Sequence, residues 1–159
     1  TLGFAIAMLI ARKVHAEEPA AFNANEFSLS LYGTGAIATD AREKEAISVG
    51  TGIGADYFLT KGFGIGARAE LSDFSHSVID RTSGRLTARA PLWDAVAPYG
   101  YVDGGFDFER DRWLAGTGGG IEARFNKHVG AFAELGLEVN TRGKATGRTA
   151  VGLRLPLGK

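Results

Sequence analysis

The chain has 159 residues, a formal net charge of +0 and 45% hydrophobic residues, a size that predicts one domain with enough material for a core. It contains no cysteine, which excludes disulfides, cysteine-type zinc sites and cysteine nucleophiles. The balanced charge gives no indication of nucleic-acid binding. Glycine is the unusual residue: there are 23 glycines and 4 prolines, where average usage would give about 11 glycines.

The first residues have the pattern of an export signal. Residues 2–11 form one apolar block, followed by Arg12, Lys13 and the small-residue sequence Val14-His15-Ala16. The block is about half as long as a membrane span but matches the apolar region of a secretory signal. We therefore expect residues 1–16 to be a signal peptide that is cleaved after Ala16, with residues 17–25 as an N-terminal segment. The alternative is a short amphipathic or buried helix.

From Glu26 onward, apolar and polar residues alternate with period two, which is typical of antiparallel strands. We predict eight strands, at residues 26–39, 46–58, 63–75, 84–93, 97–108, 113–125, 130–141 and 147–157. The connections at 60–62, around Asp94 and at 126–128 are turn-like, while those at 40–45, 76–83, 109–112 and 142–146 are more polar and mostly longer. Short turns at one end and longer loops at the other are typical of a membrane-spanning barrel.

The two faces of each predicted strand differ in chemistry. In the seventh strand, Leu135 and Leu137 alternate with Glu134, Gly136 and Glu138. A soluble barrel or sandwich would turn the charges to water. However, small aliphatic residues suit lipid contact better than a soluble core, and charges of both signs can neutralise each other in a narrow lumen. We therefore predict an all-β, eight-stranded antiparallel up-and-down transmembrane barrel over residues 26–157.

The predicted barrel is just wide enough to be filled by side chains, so we expect a closed lumen in which glycines leave space for long charged side chains. Its predicted charge network consists of Asp56, Arg68, Glu70, Arg85, Arg89, Asp103, Asp107, Glu122, Arg124, Glu134, Glu138, Arg148 and Arg154. Aromatic residues near the strand ends predict girdles at the two membrane interfaces. The girdles consist of Phe27, Tyr57, Phe63, Phe74, Trp93, Phe106, Phe108, Trp113 and Phe125, and we place Phe58, Tyr99 and Phe132 with them.

Two stretches carry a family resemblance. Residues 97–105 (APYGYVDGG), and residues 116–126 (GTGGGIEARFN) with 130–135 (GAFAEL), resemble strands of small outer-membrane barrels of the OmpA/OmpX-like superfamily of Gram-negative bacteria. The resemblance covers about residues 26–157. It implies periplasmic termini, surrounding outer-membrane lipid, insertion by the barrel-assembly machinery and interior charge pairs that resemble Glu122, Arg124, Glu134 and Arg154. The family usually ends in an aromatic residue, whereas this sequence ends in LPLGK.

Other motifs do not indicate a catalytic or cofactor site. Residues 116–120 are glycine-rich but lack the Lys-Ser/Thr of a phosphate loop and lie within a predicted strand. The histidines, His15, His76 and His128, are too few and too dispersed for a metal site, so no metal or cofactor is expected. The His-x-Ser-Asn sequence of the lipid A deacylase family is absent, and neighbouring residues such as Ser75 and His76 point to opposite faces of a strand.

The sequence therefore predicts a monomeric, non-enzymatic outer-membrane barrel with an envelope-structural or surface-interaction role and no efficient porin activity. Two alternatives stay open. A soluble, lipocalin-like periplasmic carrier would turn the aliphatic face inward around a small apolar ligand. A barrel enzyme acting on lipid A would need His76 in a loop.

Overall fold

A computed structural model describes residues 22–38, 47–71, 79–92 and 94–157, which form a closed antiparallel barrel. Its strands are β1 (Glu26–Ala38), β2 (Ile47–Phe58), β3 (Phe63–Leu71), β4 (Arg81–Arg89), β5 (Val96–Asp107), β6 (Arg112–Arg124), β7 (Gly130–Asn140) and β8 (Ala145–Pro156). Each strand pairs with the next, and β8 pairs with β1. In this described part of the chain, no helix is long and apolar enough to cross a bilayer. The predicted signal peptide lies outside the described residues.

Seven of the predicted strands agree closely with the structure, but the predicted position of β4 is wrong. It runs over Arg81–Arg89, not over residues 84–93. Arg81 belongs to the ladder, where it pairs with Glu70 on β3 and Asp107 on β5. Pro91, which lacks an N–H for a ladder hydrogen bond, follows the strand instead of lying in it.

Two of the connections that the sequence groups as more polar and mostly longer are tight turns close to their predicted positions. The β5–β6 turn occupies residues 108–111, and Asp107 Oδ1 accepts a hydrogen bond from the Arg110 N–H at 3.0 Å. The β7–β8 turn occupies residues 141–144 and contains Gly143 in the left-handed region, with φ of 73°. Asn140 Oδ1 accepts hydrogen bonds from two N–H groups of this turn. Short polar side chains that bind their own backbone therefore close both turns.

The barrel has two ends, which we name by the connections they carry. The terminal end is where β1 begins and β8 ends, together with the β2–β3, β4–β5 and β6–β7 turns. The loop end is the opposite one, with the β5–β6 and β7–β8 turns. Residues 39–46 and 72–78 belong to connections at the loop end and lie outside the described residues, so residues 76–78 of the predicted loop at 76–83 are not described and residues 81–83 belong to β4.

The strands turn their aliphatic side chains outward and their polar side chains inward. On β7, Leu135 and Leu137 are 69% and 60% exposed, while Phe132, Glu134 and Glu138 are buried. The other strands repeat this alternation. A barrel in water would reverse it, because exposed aliphatic surface is costly there and buried charge more so. The arrangement is the one that membrane barrels require.

Interior glycines lie against aromatic rings as well as charges. A Cβ at Gly52 would come within 2.6 Å of Tyr32 Cζ, and one at Gly64 would come within 2.7 Å of Phe58 Cδ1. Gly66 and Gly116 play the corresponding part for charged side chains, those of Asp56 and Asp103. From the sequence, only the charged neighbours were expected. Glycine therefore leaves room for every kind of large group that the narrow interior holds.

This packing predicts different costs for two alanine substitutions. Gly52→Ala should destabilise the barrel by about 1–3 kcal/mol, because its methyl group would overlap the buried Tyr32 ring. Gly84→Ala is the matched control, since a Cβ there would meet nothing within 4 Å. Unfolding in urea, followed by tryptophan fluorescence in detergent micelles, measures both. Equal stability of the two variants would contradict the packing described here.

Candidate functional site

The barrel interior holds a column of ionised side chains in three layers, which we call the terminal, central and loop layers. The terminal layer consists of Glu26, Asp56, Arg89, Glu122, Arg124 and Arg154. The central layer consists of Arg68, Arg85, Asp103 and Glu134. The loop layer consists of Glu70, Arg81, Glu138 and Arg148. Within each layer the arginines equal the carboxylates in number, so each layer is formally neutral.

The terminal layer is the most deeply buried. Arg154, 1% exposed, donates to Glu122 Oε2 at 2.6 Å and to Asp56 Oδ2 at 3.1 Å. Arg124 Nε donates to the other oxygen of Glu122 at 3.1 Å, and its two terminal nitrogens bind both oxygens of Glu26. Glu122 therefore joins two arginines, and the hydrogen bonds connect β1, β2, β6 and β8 across the interior.

Glu134 is the centre of the central layer. Its carboxylate accepts two hydrogen bonds from Arg68, at 2.9 and 2.8 Å, one from Arg85 at 2.7 Å and one from the Tyr99 hydroxyl at 2.8 Å. The second terminal nitrogen of Arg85 donates to Asp103 at 3.1 Å. These bonds join β3, β4, β5 and β7, so one carboxylate connects opposite walls of the barrel.

The loop layer repeats the pattern nearer the loop end. Arg148 lies between Glu70 and Glu138 and donates to both, with a distance of 3.2 Å to Glu138 Oε2. Arg81 forms ion pairs with the same two carboxylates. The Tyr32 hydroxyl donates to Glu70 Oε1 at 3.1 Å. Beyond this layer, Asp107 pairs with Arg112 and Arg110 at the mouth of the barrel.

Aromatic rings fill the space between the layers. The Arg85 guanidinium lies 3.6 Å from the centre of the Tyr101 ring, close enough for a cation–π contact. Phe132 lies between the terminal and central layers, 5.2 Å from Arg154 and 5.7 Å from Arg68. Its ring also packs edge-on against Tyr32. Guanidinium groups and rings therefore alternate along the axis with little free volume.

Two small cavities lie among the ion layers. One of about 20 Å³ lies between the central and loop layers, which is space for about one water molecule. A larger one, of about 70 Å³, lies at the loop end between Arg81, Arg148 and the Asp107 mouth. The Arg68–Glu134–Arg85 contacts lie between this cavity and the terminal layer.

The structure places every charge of the predicted network on the inner face and brings each into an ion pair. Sequence reasoning missed Glu26 and Arg81. Glu26 lies an even number of residues before the inward Ser28 and Tyr32, and Arg81 an even number before Arg85. The period-two alternation therefore could have predicted that both side chains point inward. Arg81 was lost because β4 was predicted to begin at residue 84.

The predicted aromatic girdles are only partly visible. Phe27, Tyr57, Phe63, Phe108 and Trp113 are exposed near strand ends, Phe106 packs between Phe108 and Trp113, and Phe125 directly follows β6. Phe74 and Trp93 lie outside the described residues. Phe58, Tyr99 and Phe132 were placed wrongly with the girdles: all three point inward against arginines.

Within the described part of the chain, the remaining candidates do not come together in one place. Residues 116–120 lie within β6 and precede no helix, unlike a phosphate loop. His128 is exposed in the β6–β7 turn, and His76 lies outside the described residues. Among the residues that the structure describes, no group of three His, Asp or Glu side chains could hold a metal ion.

The central layer predicts the cost of removing one buried charge. Glu134→Gln should lower the free energy of unfolding by about 3–5 kcal/mol, because it leaves Arg68 and Arg85 buried with one counter-charge between them. Glu109→Gln is the control, since that side chain is about half exposed and its ion pair contributes little. Urea unfolding in micelles compares them, and a Glu134→Gln barrel as stable as the control would refute the role of this carboxylate.

Comparison with known proteins places the fold. No protein-family model and no curated protein sequence matches the chain. Solved structures do match it. A de novo designed transmembrane β-barrel has a TM-score of 0.59 at 13% identity, covering 89% of this chain and 98% of the design. Ail, the attachment invasion locus protein of Yersinia pestis, has a TM-score of 0.56 at 14% identity, covering 84% and 99%.

The N-terminal β-barrel domain of Pseudomonas aeruginosa OprF has a TM-score of 0.54 at 17% identity, covering 83% of this chain and 98% of that domain. These matches span nearly all of each compared structure, and they agree with the closed eight-stranded topology and the aliphatic outer face. The chain therefore has the fold of a small transmembrane β-barrel.

Proposed function

We propose that this protein is an integral outer-membrane barrel with both termini on the periplasmic side, which has a structural or surface-interaction role in the envelope and does not act as an efficient porin. The observation that carries the proposal is that the same barrel has an aliphatic outer surface and a charged interior. The outer face is aliphatic, and the interior is crossed by three neutral ion layers.

The outer face argues for a lipid environment. Side chains such as Ile53, Leu135 and Val151 are 60–69% exposed and lie on different strands around the barrel. Since every strand contributes to this surface, water would contact far more aliphatic area than the patches that soluble proteins tolerate. Closure also pairs each strand edge, which satisfies the backbone in hydrocarbon. Outer-membrane lipid is thus the partner that this surface fits best.

The interior argues against bulk permeation. A hydrated ion would have to separate Glu134 from Arg68 and Arg85 and enter a cavity with space for about one water molecule. Separating a buried ion pair without replacement costs several kcal/mol. The same holds at the terminal layer, where Arg154 is held by Glu122 and Asp56. A passing ion therefore meets consecutive barriers.

The connections at the loop end and the structural neighbours are compatible with a structural role in the envelope or with binding of partners at the surface. The described turns at the loop end, residues 108–111 and 141–144, are short and polar, so contacts with partners fall mainly to the neighbouring connections at 39–46 and 72–80. One structural neighbour, Ail, bears the name attachment invasion locus protein. We infer a monomer without enzymatic activity or cofactor, which the barrel-assembly machinery inserts.

The carrier alternative is contradicted by the direction of the side chains. A lipocalin-like carrier needs an apolar cavity, whereas the described interior is lined by arginines, carboxylates and tyrosines, and the aliphatic residues lie outside. The lipid A enzyme alternative depends on His76, which lies outside the described residues. No contact of the described residues favours it.

Single-channel recording in planar bilayers tests the proposal. The wild-type protein should show little conductance. Glu134→Ala should raise it modestly, because the variant removes one of the consecutive barriers, the carboxylate that joins opposite walls of the central layer, and leaves the terminal layer in place. Glu109→Ala, in the exposed β5–β6 turn, serves as the control and should behave like wild type. A steady, porin-sized conductance of the wild-type barrel would contradict the proposal.

A further inference from the structure

The chain segment before β1 folds back against the terminal end of the barrel. Phe22 precedes the first strand, yet it is only 3% exposed. Its ring lies under two guanidinium groups of the terminal layer, 4.2 Å from Arg124 and 4.8 Å from Arg89. An aromatic residue outside the strands is therefore as deeply buried as the lining of the lumen.

Hydrogen bonds fix this segment from both sides. Arg89 Nη2 donates to the Asn23 carbonyl at 3.2 Å, and the Asn23 N–H donates to Glu26 Oε2 at 3.3 Å. The Tyr57 hydroxyl donates to Asn25 Oδ1 at 3.2 Å. Asn25 has φ of 56°, a left-handed conformation that asparagine tolerates and that lets the chain reverse just before β1.

Arg89 connects this segment to the turn beside it. Its Nε donates to the Lys61 carbonyl in the β2–β3 turn at 2.7 Å, and its guanidinium stacks 3.5 Å from the Phe58 ring. The arginine therefore contacts both Phe58 and Phe22. Backbone, ring and charge contacts together hold the segment against the terminal layer.

The side chains near the terminal end are less exposed than those near the loop end, as expected if the segment before β1 covers the terminal end. Near the terminal end, Ser28 and Glu122 are 0% exposed and Arg154 is 1% exposed. In the loop layer the Arg148 side chain is 16% exposed, and the cavity of about 70 Å³ lies beside it. The terminal layer, which the segment before β1 contacts, is thus more deeply buried than the loop layer.

We propose that residues 22–25 form a cap that closes the terminal end of the interior to water, with the Phe22 ring packed against Arg89 and Arg124. The cap goes beyond the proposed role of the barrel, because it acts at one end and does not depend on whether the lumen conducts. Excluding water there lowers the local dielectric and strengthens the ion pairs of Glu26 and Glu122. Without Phe22, Arg89 and Arg124 would face solvent.

Thiol labelling tests the cap, because the chain contains no cysteine of its own. Ser28→Cys places a near-isosteric reporter at a 0% exposed position on the inner face, where the described residues offer the hydroxyl no hydrogen bond to lose. A charged, water-soluble maleimide should label it slowly in the folded barrel. Adding Phe22→Ala should speed labelling about tenfold or more, because water and reagent then enter from the terminal end.

Two controls make the result specific. Ala36→Cys lines the cavity at the loop end and should be labelled at the same rate with or without Phe22→Ala. Tyr57→Phe removes only the hydrogen bond to Asn25, so it should speed labelling of Ser28→Cys less than Phe22→Ala does. The heat-dependent gel shift of folded barrels confirms that each variant is closed. If Phe22→Ala fails this check, Phe22→Leu replaces it, and it should give a smaller acceleration in the same direction.

Three outcomes would overturn the proposal. The first is fast labelling of Ser28→Cys while Phe22 is present. The second is an unchanged rate after the Phe22 substitution in a folded barrel. The third is an equal acceleration at Ser28→Cys and Ala36→Cys, which would mean general loosening instead of an opened terminal end.

Discussion

The barrel depends on the pairing of buried charges, and the contact of Glu134 with Arg68 and Arg85 is its clearest case. A charge enclosed by strands cannot be solvated by water and must find its counter-charge within reach of its own side chain. Overall neutrality of the chain does not satisfy this condition. It is met layer by layer, with equal numbers of arginines and carboxylates in each of the terminal, central and loop layers.

This local neutrality explains the composition of the inner face. Long arginines reach across the axis, so residues far apart in sequence become partners, such as Arg124 on β6 and Glu26 on β1. Rings of tyrosine and phenylalanine occupy the heights between the layers and contact the guanidinium faces. A narrow barrel has room for these groups only where the neighbouring strand carries no side chain, as at Gly52 beneath Tyr32. The glycines of the inner face are therefore a consequence of a filled lumen, and the aliphatic outer face is the other half of the same alternation.

Much of this could be predicted from the sequence because a strand has a period of two. That period fixes which residues share a face, and it assigned every charge of the predicted network to the interior. It could not give the pairing, since Arg68 meets Glu134 only through the closure and register of the barrel. The ends of the strands were predicted less well than their faces. The structure starts β4 at Arg81, three residues before the predicted start, and Arg81 therefore belongs to the lumen. Phe58 and Phe132 were wrongly assigned to the girdles because they lie near strand ends, although the period-two alternation places them on the inner face. Phe22 belongs to no strand and gave no signal.

The central claim is that neutral ion layers fill the interior while aliphatic side chains face lipid, and a cysteine scan along β7 measures this most directly. Each residue from Ala131 to Val139 is replaced in turn, spin-labelled in lipid vesicles and tested for collision with oxygen, which dissolves in lipid, and with a water-soluble nickel complex. We predict high oxygen collision at 131, 133, 135, 137 and 139, which face lipid, and low oxygen collision at 132, 134, 136 and 138, which face the interior. Oxygen contact at the even positions, or nickel contact all along the odd ones, would contradict this prediction.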